Sequence, residues 1–281
     1  MKIAHLILTH ANPEQLGRLI GRLAHPDCCV YIHLDLKTDI SAFGHLAKKG
    51  RVVFVQNRVK VAWGDYTIVQ ATINGLEEIM ATGIAYEYIN LLSGQDYPIK
   101  STEYIHRQLS AQPGKAFMHT LIVATEWQEA ITRYTKYHLS YLNFPGSFYV
   151  ESLLGKLLPD RKFPGNMTPV GRSQWFTISR QHVAYILDFV KKSPGFVRFF
   201  KLTWAPDEFF FQTILYNSPH QQEMVNDNMR YIDWSEGKAN PKVLTMADAD
   251  ALTATPALYA RKFNPAIDSQ ILDYLDGLHK K

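Results

Sequence analysis

The segment Met1-Lys2-Ile3-Ala4-His5-Leu6-Ile7-Leu8-Thr9-His10-Ala11-Asn12-Pro13 decides the fold class. Its apolar run is short, broken by His5 and closed by Thr9. It therefore reads as a first β-strand, Ile3 to Leu8, and not as a signal peptide or membrane span. Thr9 to Pro13 is a turn, and Leu16, Leu19, Ile20 and Leu23 mark the helix after it. The pattern then recurs. Val30-Tyr31-Ile32-His33-Leu34-Asp35 is a second strand ending in a carboxylate, and Arg51 to Val55 is a β-branched third. A helix runs from about Tyr66 to Met80, with Val69, Ile73, Leu76 and Met80 on one face; Tyr86 to Leu92 is a fourth strand, leading into Ser93-Gly94-Gln95-Asp96-Tyr97-Pro98. Strands alternating with helices predict an α/β fold, a Rossmann-like, mostly parallel sheet covered by helices on both faces. Such sheets bind ligands beyond the carboxyl ends of their strands, where Thr9-His10, Asp35 and Gln95-Asp96 all fall.

Farther along, residues 121–170 are less regular, rich in Tyr, Lys and Arg, and read as an insertion lining a cleft. Gly171 to Ile178 returns to strand, a helix follows from about Arg180 to Lys191, and the tail ends on a polar helix from Asp268 to Lys280. With 281 residues, and no repeat, low-complexity run or linker, the chain reads as one domain. Hydrophobic content of 46% and charged content of 20% are ordinary for a globular protein. A net charge of +4 permits an anionic ligand, but no Lys/Arg-rich run accompanies it, which argues against nucleic acid. The two cysteines, Cys28 and Cys29, are neighbours without metal-type spacing, so the chain reads as reduced and intracellular.

The chemistry centres on Trp204-Ala205-Pro206-Asp207-Glu208-Phe209-Phe210-Phe211. Pro206 suits the first position of a helix, Asp207 and Glu208 suit its first turn, and Phe210, Phe211, Ile214 and Leu215 recur at helical spacing. Two readings stand side by side: ordinary helix-start chemistry, or a catalytic base at the mouth of a buried aromatic helix. No Gly-x-x-x-x-Gly-Lys, Gly-x-Gly-x-x-Gly, Gly-x-Ser-x-Gly or His-Glu-x-x-His occurs, and most of the eleven histidines read as surface or turn residues. The one Asp-x-Asp, Asp248-Ala249-Asp250, follows Thr245 in the arrangement of a helix capping box, which argues against a metal site.

Seven short motifs then fall in a shared order: Ile7-Leu8-Thr9-His10, His33-Leu34-Asp35, Val61-Ala62-Trp63-Gly64, Asn90 to Lys100, Gly171 to Phe176, Ala205-Pro206-Asp207-Glu208, and Ala260-Arg261-Lys262-Phe263. Together they resemble the core-2/I-branching β-1,6-N-acetylglucosaminyltransferase family, which also holds the peptide O-xylosyltransferases. The resemblance spans nearly the whole chain.

It implies a GT-A-type fold and an inverting transfer from a UDP-sugar without a metal ion or other cofactor. Residues 1–120 would form the nucleotide-sugar-binding half, 121–170 the insertion, and 171–281 the catalytic and acceptor half. By the same resemblance Glu208 is the general base, with Asp207 as its helix-capping neighbour. Arg261 and Lys262 stabilise the leaving diphosphate, with a second cation from Lys238 or Lys242. Thr9, His10 and Asp35 hold uracil and ribose, although Asp35 also suits a cap on the Lys37-Thr38 turn. Asp96, Gln174 and Trp175 line the sugar pocket, with core as the other reading of Trp175; Arg133 and Trp234 match acceptor-side positions. Arg172 interrupts the usual Gly-Ser-Gln-Trp order, narrowing the donor pocket or adding a phosphate contact. The expected donor is UDP-GlcNAc, with UDP-xylose as the enzyme alternative and a non-catalytic carbohydrate- or nucleotide-binding protein as the alternative of another class. The expected acceptor is a glycan or glycolipid. The expected location is the cytoplasm, with docking at the inner membrane surface as a variant and no transmembrane segment.

Overall fold

A computed structural model describes residues 1–48, 51–142 and 145–278. Seven strands form the main sheet: β1 (Ile3–Thr9), β2 (Cys28–Leu34), β3 (Val52–Phe54), β4 (Tyr88–Ser93), β6 (Ala116–Ile122), β7 (Val170–Ser179) and β8 (Met224–Val225). Their order is β3-β2-β1-β4-β7-β6-β8. Strands β1 to β4 pair in parallel, β7 runs against both β4 and β6, and β8 is parallel to β6, so β7 alone runs the other way. A second, three-stranded sheet joins β5 (Tyr97–Pro98), β10 (Tyr259–Arg261) and β9 (Arg230–Ile232), in that order. It brings Arg261 beside Asp96, three residues past the end of β4. This is the α/β, mostly parallel arrangement expected from the alternation of strands and helices.

Alternate strand residues feed two cores. Ile3, Ile7, Val30, Ile32 and Leu34 pack with α1 (Pro13–Leu23), α3 (Thr102–Ser110), α9 (Ala249–Ala254) and α10 (Gln270–Gly277). Ala4, Leu6, Tyr31, Ile89 and Leu91 face α2 (Tyr66–Ala81), α6 (Arg180–Lys192), α7 (Pro194–Phe200) and α8 (Phe210–Tyr216). The period of two along each strand delivers both sets, which is why the buried strands read as continuous apolar runs. Helix starts are fixed locally: Asn12 accepts the Gln15 N–H, Asp65 the Thr67 N–H and Ser101 the Tyr104 N–H. Between β6 and β7 lie α4 (Ile131–Thr135) and α5 (Ser147–Leu157). Among the described residues no helix is long and apolar enough to cross a membrane.

Most described histidines are exposed or half-buried, as expected; His5, His33 and His182 are buried, each with a hydrogen-bonding partner. Two expectations are corrected. The terminal helix is not polar, because Ile271, Leu272 and Leu275 are buried; its expected end at Lys280 lies outside the described residues. The Pro206 helix is broken. Pro206–Glu208 is a single 3₁₀ turn, Phe209 leaves helical geometry at φ −146° and ψ −1°, and only then does α8 begin. Three consecutive phenylalanines, all fully buried, pull the chain inward faster than a continuous helix allows.

Candidate active site

Sterics set the turn that carries Glu208. Ala205 adopts a left-handed conformation, φ 45° and ψ 53°, which is costly for a residue with a Cβ and is retained only where the surroundings impose it. Its N–H donates to Gly64 O at 2.8 Å. Gly64 is itself at φ +70°, and a Cβ there would stand 2.7 Å from the Trp204 ring. The Val61-Gly64 motif is thus the seat on which the Trp204-Glu208 motif rests. From the other side, a Cβ on Gly171 would collide with Glu208 O and Phe209, so β7 touches the turn only because position 171 is glycine.

Glu208 is about a third exposed, and its Oε2 pairs with Arg133 Nη1 at 2.5 Å. The Arg133 guanidinium lies over the Trp127 ring, 4.8 Å from its centre. Arg172 lies over the same indole at 5.5 Å and pairs with Glu129 at 2.8 Å. Arg172 is therefore engaged on this platform by a carboxylate. Neither Trp127 nor Glu129 was legible as a site residue.

Behind Glu208 lies a buried group of charges. Asp96 is fully buried; its Oδ2 accepts the Ser93 N–H at 3.0 Å, and its Oδ1 stands 3.1 Å from Arg261 Nε. The N–H is not aimed at that oxygen, so both atoms lack a hydrogen bond. Arg261 also lies 4.3 Å from the centre of the buried Trp175 ring, which joins that indole to the charged group. Burial pushes Asp96 up and Arg261 down, each opposed by the charge of the other. Of nine buried side-chain atoms without partners among the described residues, three belong here: Asp96 Oδ1, Arg261 Nε and Asp207 Oδ1. This concentration makes the group the candidate site.

Asp207 is not the helix cap expected of it. The turn has no side-chain cap, and Asp207 points into the protein. Burial, reinforced by the neighbouring Glu208 charge, raises its pKa to about 7. An unfolded chain sheds this proton near pH 4, whereas the folded chain keeps it to about pH 7. Stability therefore falls as pH rises through that window and levels off above it. Asp207→Asn should remove this part of the slope, as read from denaturation midpoints at pH 4, 5.5 and 7.5. Identical slopes in the two proteins would refute the assignment.

The remaining expected residues divide by location. Asp35, at the end of β2, is nearly buried; its N–H donates to Thr9 O at 2.9 Å, and its Oδ1 accepts the Lys37 N–H at 2.8 Å, so the turn-capping role is present. His10 is exposed, and its carbonyl accepts the Thr38 hydroxyl at 2.8 Å. Arg58 clamps this corner by donating to the carbonyls of Leu34, Asp35 and Thr38, a role that no sequence pattern announced. Gln174 is half-buried beside Trp175. Trp234 is 52% exposed, two residues past the end of β9, which pairs with β10 just before Lys262. Lys262 is half-buried, and burial followed by the Arg261 charge lowers its pKa.

The two other cations considered for the diphosphate are engaged elsewhere. Lys238 is exposed and paired with Glu236 at 2.9 Å, and Lys242 is 2.6 Å from Asp248 and 3.8 Å from Asp233. Asp248 also accepts the Thr245 N–H at 2.9 Å, completing the capping box. Both of its oxygens are taken, and Asp250 is exposed. A buried guanidinium outside the expected set, Arg230, donates to Thr177, Asn90 and the carbonyls of Leu91, Phe176 and Asn228, tying the small sheet to the large one.

Residues 3–254 match the family model described as Core-2/I-Branching enzyme. Among curated proteins, Xylosyltransferase 1 of Canis lupus familiaris is 24% identical over 301 residues, covering 98% of this chain and 30% of its own length. Xylosyltransferase oxt of Drosophila melanogaster is 23% identical over 300 residues, covering 98% and 33%. The chain thus spans about a third of these relatives. Among solved structures, mouse xyloside xylosyltransferase 1 aligns at a TM-score of 0.41 and 10% identity, covering 92% of this chain and 97% of that one. S. aureus TarS aligns at a TM-score of 0.41 and 11% identity, covering 80% and 57%.

Proposed function

The chain belongs to the Core-2/I-branching enzyme family, and from that premise we propose that it is an inverting, metal-independent glycosyltransferase acting from a UDP-sugar. The observation that carries this reading is that a partly exposed carboxylate, Glu208, paired with Arg133, lies close enough to the half-buried Arg261, paired with Asp96, for their charges to interact. Glu208 takes the proton of an acceptor hydroxyl as that oxygen attacks the anomeric carbon. The bond to the diphosphate breaks, and its electron pair leaves with UDP. Arg261 and Lys262 meet the charge that develops there, the work a divalent cation does in other transferases. Asp35 and Thr9 bound the nucleoside end, and Arg133 orients the base from the acceptor side. One carboxylate suffices, because inversion needs no covalent sugar–enzyme intermediate. The occupied oxygens of Asp248 support the metal-free form.

As donor we propose UDP-xylose, with a hydroxyl of a glycan or protein as acceptor. The names of the relatives favour a pentose over the UDP-GlcNAc expected from the family's other branch. Calorimetric titration of UDP, UDP-xylose, UDP-GlcNAc and UDP-glucose, with and without EDTA, tests both parts. UDP-xylose should bind more tightly than the hexose donors, and EDTA should not weaken it. A preference for UDP-GlcNAc would overturn the donor, and binding only with Mn²⁺ would overturn the metal-free mechanism.

A further inference from the structure

Cys28 opens β2, His25 lies in the loop before it, and His106 sits on α3; one ligand atom from each falls within 4.8 Å of the other two. Cys28 Sγ is 3.2 Å from His106 Nε2, and the His25 and His106 rings stack with centroids 3.9 Å apart. Hydrogen bonding does not account for this cluster. A thiol is a weak partner for an imidazole, and His25 spends its Nδ1 lone pair on the Asp27 N–H within its own turn, a bond that metal ligation replaces. The other three-residue group of this kind among the described residues, His182, His220 and Glu223, explains itself. There, one carboxylate oxygen accepts from both imidazoles and from Gln181.

From this geometry we propose that His25, Cys28 and His106 form a site for a borderline-soft divalent cation of the Zn²⁺ class. One sulfur and two nitrogens are the donors such a cation takes, and three protein ligands leave a fourth position open. His25 and Cys28 also line a hollow of about 430 Å³, which leaves room for water there. Burial and the His25 charge lower the His106 pKa to about 4, so that ring is neutral and ready to ligate. Burial raises the Cys28 pKa to about 12, so binding expels the thiol proton. The site is at the amino end of β2, whereas Asp35 follows its carboxyl end, roughly 23 Å of strand away. Its cation clamps α3 to the sheet and takes no part in sugar transfer. Zinc found in the purified protein would then say nothing about the catalytic mechanism.

The metal-stripped full chain, titrated with Co²⁺, should develop a thiolate-to-cobalt charge-transfer band that Zn²⁺ abolishes. Its apparent affinity should tighten about tenfold per pH unit from pH 7 to 8. Cys28→Ala should lose the band, Cys29→Ala should keep it, and His106→Gln should weaken binding by at least about 10²-fold. Zn²⁺ should raise the melting temperature of the wild type but not of Cys28→Ala. Absence of the band, or a band that survives Cys28→Ala, would overturn the proposal.

Discussion

Glu208→Gln lowers the transfer rate by about 10²-fold or more while leaving UDP-sugar affinity near the wild-type value. The amide has the size of the carboxylate, and its oxygen can still accept from Arg133, so the acceptor side keeps its arrangement. What it loses is the capacity to take a proton from the attacking hydroxyl. Single-turnover transfer rates beside calorimetric affinities separate the two effects. A variant with full activity would remove Glu208 from catalysis and revive the reading of the chain as a binding protein. Loss of donor affinity equal to the loss of rate would make Glu208 a binding residue instead.

Arg261→Met produces two losses that must be told apart. It removes the cation expected to meet the charge on leaving UDP, which should cost about 10² to 10³-fold in rate. It also strands Asp96, fully buried and 3.1 Å from the guanidinium, at a cost of about 3–5 kcal/mol in stability. The double variant Asp96→Asn/Arg261→Met removes the stranded charge, so it should recover most of the stability but none of the rate. Thermal melts and steady-state kinetics on the three proteins decide the matter. Recovery of activity in the double variant would mean that Arg261 serves only to neutralise Asp96.

The sheet was legible because its information is local. Ile3 to Leu8, Val30 to Leu34 and Tyr86 to Leu92 are apolar over a strand's length and bounded by turn residues. Leu16, Leu19, Ile20 and Leu23 keep helical spacing, and α1, α2 and α6 lie within a few residues of their expected ends. The break after Glu208 was not legible, because Pro206 to Glu208 suit a helix start and Phe210, Phe211, Ile214 and Leu215 keep helical spacing across it. Asp207 illustrates the same limit. As a sequence it is a good first-turn residue; in the fold it is buried beside Glu208 with an oxygen unsatisfied.

The sequence by itself determined the α/β class, the placing of Thr9, Asp35 and Asp96 at or just past the carboxyl ends of their strands, the capping of Asp248, and the few motifs that could bear chemistry. These rest on periodicity, turn chemistry and residue order, all of which act within a dozen residues. Only the tertiary structure decided which charges meet: Arg133 with Glu208 across 75 positions, Cys28 with His106 across 78, and Asp96 with Arg261 through the small sheet. It also set Lys242 beside Asp248 and Arg172 beside Glu129. The reason is physical. Burial and Coulomb energy depend on distances in space, and those distances exist only once distant segments have packed.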